Sequence, residues 1–90
     1  MHKLGLSRRA RDFLDDLPAK PFRQVALRIF DLLKEPRAPD TAHLTGQPYR
    51  RADVGEYRVV YRVEGDTVLV VLVGKRNDAE VYKQLRRMRG

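Results

Sequence analysis

The chain has 90 residues, no cysteine, and 19 Lys+Arg against 12 Asp+Glu, giving a formal net charge of +7. That length is one domain spanning 1–90, and the missing cysteines exclude a disulfide framework, a thiolate metal site and a cysteine nucleophile. His2 and His43 stand far apart without neighbouring ligands, which argues against a His-based zinc or copper site, and no apolar run nears the ~18 residues of a membrane span or the ~7–15 of a signal-peptide core, so the expectation is a basic cytoplasmic domain with no membrane partner.

In chain order, Met1–Leu6 alternates weakly and predicts a short strand, with Leu4 and Leu6 on one face. Ser7 offers an N-cap, and Ala10, Phe13, Leu14 and Leu17 then recur at i, i+3, i+4, i+7, the apolar stripe of a helix that Pro18 stops. Pro21 suits the first turn of a second helix, in which Phe22, Val25, Ala26, Ile29 and Leu33 repeat the stripe through about Lys34. The segment from Glu35 to Pro48 contains Pro36, Pro39, Gly46 and Pro48 and reads as a connector.

The period then changes from helical to two. Tyr49–Asp53 predicts a strand, and Glu56–Val63 a stronger one: Tyr57, Val59, Tyr61 and Val63 share one face, and Glu56, Arg58, Val60 and Arg62 the other. Glu64-Gly65-Asp66-Thr67 is a hairpin turn, and the unbroken aliphatic run Val68–Val73 is expected of a central strand covered on both faces. Ala79–Arg89 predicts a short basic helix with Val81, Leu85 and Met88 as its apolar positions. The expected class is α+β: a small twisted antiparallel sheet in the order β-α-α-β-β-β-α, with an N-terminal helical hairpin on one face and a short C-terminal helix.

The charge gathers toward the C-terminal end, where the last sixteen residues hold six bases, Lys75, Arg76, Lys83, Arg86, Arg87 and Arg89, against Asp78 and Glu80. A domain this basic favours a polyanionic partner, because phosphate contacts release counterions. If the Tyr57 face is the core, Arg58 and Arg62 point away from the helices. An ordinary solvated face would show the same alternation, but several guanidiniums on a half-apolar sheet face also suit a phosphodiester. A two-residue Gly65-Asp66 turn pairs Arg58 with Val73 and puts Arg76 on the opposite face. A three-residue turn, or a bulge at Gly74, brings the two arginines together. Both registers remain open at this point.

The segments Ala10…Phe13-Leu14…Leu17-Pro18, Leu33-Lys34-Glu35-Pro36, Leu44-Thr45-Gly46, Gly55-Glu56-Tyr57-Arg58-Val59-Val60-Tyr61 and Val73-Gly74-Lys75-Arg76…Glu80-Val81-Tyr82 together resemble the RelE/ParE superfamily of toxins from bacterial toxin–antitoxin pairs, more closely its RelE-like ribonuclease branch. The resemblance spans nearly the whole chain. It implies a metal-independent, cofactor-free endoribonuclease that cuts mRNA in the ribosomal A site by attack of the 2′-OH on the adjacent phosphate. Residue by residue, Arg58 matches the family's central-strand arginine, Arg76 the arginine of its Gly-Lys-Arg segment, and Tyr82 its C-terminal tyrosine. Arg51 matches one member of a basic pair whose other member falls on Tyr49, which is not basic.

On this reading Arg51, Arg58 and Arg76 stabilise the phosphorane and Tyr82 is the base, with Arg76 or Arg51 the acid. Arg50, Arg62, Lys75, Lys83, Arg86 and Arg87 grip RNA or ribosome, joined by Arg8, Arg9, Arg11 and Arg89. The resemblance also implies an antitoxin partner, RelB-like or of another family, through which alone the pair binds operator DNA. Val81, Leu85 and Met88 are its expected docking positions if they do not pack on the domain itself. The contrasting readings are a ParE-like toxin that inhibits DNA gyrase without cutting RNA, and a nucleic-acid-binding domain without catalysis.

Overall fold

The computed structural model describes residues 1–77, 83 and 85–87. Its elements are β1 (Lys3–Leu6), α1 (Arg8–Asp15), α2 (Ala19–Lys34), β2 (Thr41–His43), β3 (Arg50–Val54), β4 (Tyr57–Glu64) and β5 (Thr67–Lys75), with residues 83 and 85–87 helical at the C-terminal end. Ser7 caps α1 as its sequence position suggests: its hydroxyl accepts from the Ala10 amide at 3.1 Å and donates to the Val71 carbonyl at 2.7 Å, tying the helix start to the sheet. The three residues 16–18 separate the two helices.

The sheet runs β1-β5-β4-β3-β2 and is mixed. The expectation of a purely antiparallel sheet is corrected here, because β1 pairs in parallel with β5, Leu4 opposite Val68 and Leu6 opposite Val70. The helical hairpin is the crossover that lets the chain leave β1 and return parallel to it. The Glu35–Pro48 segment, expected to be a connector without a periodic element, also holds one more strand, β2, whose three residues pair antiparallel with β3 and are too few to show a period. Both remaining hairpins close with two-residue loops, and Gly55 and Gly65 take the positive φ these tight turns demand.

One face of the sheet packs against the helices. Ala10, Leu14, Val25, Ile29, Leu32 and Leu33 bury there against Ala52, Val59, Tyr61, Val68, Val70 and Val73. The Tyr57 face is thus the core face, with its ring edge-on to Phe13 at 6.1 Å. The Tyr61 hydroxyl, fully buried, donates to the Pro36 carbonyl at 2.5 Å and fastens the connector to the core. The stripe expected on α2 is rotated: Leu32 is buried in place of Phe22, which is 43% exposed. Phe22 and Phe30 instead line a groove of about 290 Å³ with Leu4, Leu6, Ala26 and Ile29, beside the edge strand β1.

The second face carries a smaller core of Tyr49, Val60, Val71, Leu72 and Leu85. Leu85 has no exposed surface, so the C-terminal helical residues lie on this face and cover part of it. Of the two alternatives open for Leu85, docking a partner or packing on the domain itself, it takes the second; Val81 and Met88 lie outside the described residues.

Candidate functional site

The second face is where the charges meet, and a bulge decides which ones. From the turn, Glu64 pairs with Thr67 and Tyr61 with Val70, but Val60 pairs with Leu72, leaving Val71 as an extra residue on β5. Val71 and Leu72 therefore both join the second core, and the parity of everything beyond them is inverted. The turn is the two-residue one, yet Arg58 faces Gly74 instead of Val73. Gly74 and Arg76 follow on the same side, so the bulge at Val71 does what one at Gly74 was expected to do. The Arg76 amide donates to the Glu56 carbonyl at 2.9 Å, extending the ladder one step past β5.

Arg51, Asp53 and Arg58 occupy neighbouring positions on this face, with Asp53 directly opposite Arg58 and Arg51 opposite Val60. Asp53 is the centre of the group. Its Oδ1 accepts from Arg58 Nε at 2.7 Å, and its Oδ2 from Arg58 Nη2 at 3.3 Å and from Arg51 Nη1 at 3.4 Å. Hydrogen bonds from Arg58 hold its carboxyl below the usual carboxylate range, against the opposing effect of burial, and the charges of Arg58, Arg51 and Arg76 add to the lowering. Two guanidiniums therefore bond one carboxylate, and the charge of a third, Arg76, reaches it from the same side of the sheet. Arg58 is held tightly, its side chain only 14% exposed. Arg76 is exposed.

The other sequence-derived positions divide. Arg62 shares the face of Arg58 but lies four residues along β4, about 13 Å away, and pairs with Glu64 at 2.5 Å. Arg50 is not brought to the group: it points to the helix side of β3, where its Nη2 donates to the Thr41 hydroxyl at 2.7 Å. Lys75 pairs with Tyr57 across the ladder, one position out of phase with Gly74, and is exposed. Lys83, Arg86 and Arg87 are exposed on the helical residues that Leu85 anchors. Tyr82 lies outside the described residues. Sequence reading missed Asp53, although its parity with Arg51 and its place one strand across from Arg58 carried the signal.

The chain matches known proteins along most of its length. The family model described as ParE toxin of type II toxin-antitoxin system, parDE, matches residues 4–80. No curated protein sequence gives a significant match. Among solved structures, the isolated E. coli RelE toxin is similar at 26% identity and a TM-score of 0.76, covering 98% of both chains. A mutant of E. coli RelE in the free state gives 27% identity and a TM-score of 0.80 over 96% of each chain. The toxin–antitoxin complex RelBE2 from Mycobacterium tuberculosis gives 28% identity and a TM-score of 0.74, covering 83% of this chain and 98% of that one. The chain belongs to the ParE toxin family of type II toxin–antitoxin systems, within the RelE/ParE toxin superfamily, and its fold is that of RelE.

Proposed function

We propose that this toxin is a metal-independent endoribonuclease that cuts mRNA in the A site of the ribosome and so stops translation in the cytoplasm. The observation that carries the reading is the pairing of Arg51 and Arg58 with Asp53 on the second sheet face, with the bulge bringing Arg76 to the same side. A phosphodiester there meets several planar, permanently charged donors. The RNA supplies its own nucleophile: the 2′-oxygen bonds to phosphorus, the 2′-OH proton passes to a base, and the P–O5′ bond breaks as the 5′-oxygen takes up a proton. The guanidiniums stabilise the charge that grows on the non-bridging oxygens, where removing one donor typically costs ~10²–10³ in rate. Tyr82 is assigned the base role from its position in the sequence. The acid is Arg76 or Arg51, an unusual role for a guanidinium, which holds its proton tightly.

Lys83, Arg86 and Arg87, exposed on the helical residues that Leu85 anchors to this face, and Arg62 on the face itself suit the flanking RNA backbone. The toxin is held by an antitoxin, as the RelBE complexes resembling it are toxin–antitoxin pairs. Among the described residues an apolar surface open to that partner is the β1–α2 groove, where Phe30 is 52% exposed, whereas Leu85 is buried. Operator DNA is reached only through that pair.

The match to a ParE model supports a second reading, a toxin that blocks DNA gyrase and leaves RNA intact. One pair of assays separates them. In a purified translation system, cleavage of ribosome-bound message that disappears in Arg76→Ala and Tyr82→Phe is the expected result. Intact message together with loss of gyrase supercoiling activity would establish the second reading.

A further inference from the structure

The Arg58 fork does not merely sit near a carboxylate. Asp53 engages it through two atoms, Nε and Nη2, at 2.7 and 3.3 Å, and the same carboxylate reaches Arg51 at 3.4 Å. An arginine side chain on a strand has several rotatable bonds, and fixing its plane ahead of substrate removes that ordering cost from the reaction. Asp53 is itself rigidly placed, opposite Arg58 in the last two rungs before the tight turn at Gly55. The geometry points to Asp53 as a positioning residue: a resident counter-charge that fixes the plane of Arg58, holds Arg51 beside it, and lowers the site's attraction for phosphate while raising its competence to act on one.

This rests on the nuclease reading for its rate arm and on polyanion binding alone for its affinity arm. The two effects have opposite signs. A carboxylate among three guanidiniums repels an incoming phosphate, so removing its charge strengthens binding. It also removes the charged two-point brace that Asp53 gives Arg58, so the transition state meets a less well ordered donor. A residue that only held the fold together would, on removal, weaken both.

The test compares wild type with Asp53→Asn, which keeps shape but not charge, and Asp53→Glu, which keeps charge on a longer stem. The binding probe is a short single-stranded RNA carrying 2′-O-methyl groups, which cannot cleave. Asp53→Asn is expected to bind it roughly 5-fold more tightly at low salt. The slope of log affinity against log salt should steepen by about 0.7, the value of one added phosphate contact on a single strand. Single-turnover cleavage on programmed ribosomes should slow by about 10–100-fold, a loss of the size found when a group that orients a metal ligand is removed. The Nε–H resonance of Arg58, shifted downfield by its carboxylate partner in wild type, should move back in Asp53→Asn. Asp53→Glu should restore the wild-type affinity and salt slope.

Weaker or unchanged RNA binding in Asp53→Asn overturns the proposal, as does an unchanged Arg58 Nε–H resonance. A wild-type chain that leaves message intact removes the nuclease reading instead, and the counter-charge role is then decided by the binding and resonance arms.

Discussion

Arg58 lies across the ladder from Gly74, and the one-residue excess at Val71 is what puts it there. The consequence is a row of Asp53, Arg58 and Gly74 across three strands, with no side chain at its third position, and Arg76 two residues further along the same side. These two arginines have unlike surroundings. Arg58 is largely buried and braced by Asp53, whereas Arg76 is exposed.

Alanine at the two positions should therefore have equal effects on activity and unequal effects on stability. Each removes one donor to the phosphate, an expected loss of ~10²–10³ in single-turnover cleavage. Arg76→Ala should leave the unfolding free energy from urea titration nearly unmoved, within about 0.5 kcal/mol, as for most exposed positions. Arg58→Ala takes away the closer hydrogen bonds of the Asp53 carboxylate, leaving it Arg51 at 3.4 Å, and should lower stability by roughly 1–3 kcal/mol. Equal stability losses in the two variants would show that the Arg58–Asp53 pair carries no weight in the fold.

How much of this could be read from the sequence depended on the range of the interaction. The α1 stripe and the faces of β4 follow from local period, and Ala10, Leu14, Val59 and Tyr61 are buried as their spacing implies. The pairing of β1 with β5 did not follow, because nothing in six residues states whether a strand sits parallel to one sixty residues away. The bulge was legible only as an alternative. A run of six aliphatic residues has no polar position to mark which face each one takes, so the extra residue at Val71 leaves no trace in the pattern. Phe22 departs from its expected burial for a related reason: the helical stripe of α2 is broad, and only the place of β1 decides which of its edges is left open.

Acid should release the Asp53 cluster. The carboxyl is lowered from its ordinary 3.8 by the fold, so the stabilisation it contributes is fully present above that value. It is lost as pH falls through the lower folded-state value. The difference in unfolding free energy between wild type and Asp53→Asn should be flat above about pH 5 and shrink steadily below pH 4. Urea titrations at a series of pH values read this directly. A difference that grows on acidification would mean the carboxyl is raised in the folded protein.

Antitoxin binding and RNA cleavage should separate by mutation, since the groove at β1 and α2 and the arginine group lie on opposite faces of the sheet. Phe30→Asp places a charge in an apolar surface without touching the core. It should weaken binding of the cognate antitoxin by 30-fold or more, corresponding to about 2 kcal/mol for an aromatic anchor, with cleavage by the free toxin unchanged. Calorimetric titration with the purified antitoxin measures the first and the translation assay the second. Retained antitoxin affinity would place the partner elsewhere.

Leu85 tests whether the C-terminal charges act as part of the site. Its side chain is fully buried against Tyr49, Val60, Val71 and Leu72, and Lys83, Arg86 and Arg87 stand exposed around it. Leu85→Ala removes the apolar anchor and should cost roughly 2–5 kcal/mol, the range for a buried leucine. The loss should be concentrated locally: amide exchange at Arg86 and Arg87 should speed up more than at Val59 or Val70, whose strands keep their helix-side core. The three cations would then no longer be presented to RNA as a fixed group. The salt slope for binding a single strand should fall by up to about 2, one contact's worth for each, while Leu27→Ala, at a position 57% exposed on the opposite layer, should change neither. Exchange that quickens uniformly across the molecule would instead make Leu85 part of one global core, and an unchanged salt slope would mean these three charges are not in contact with the RNA.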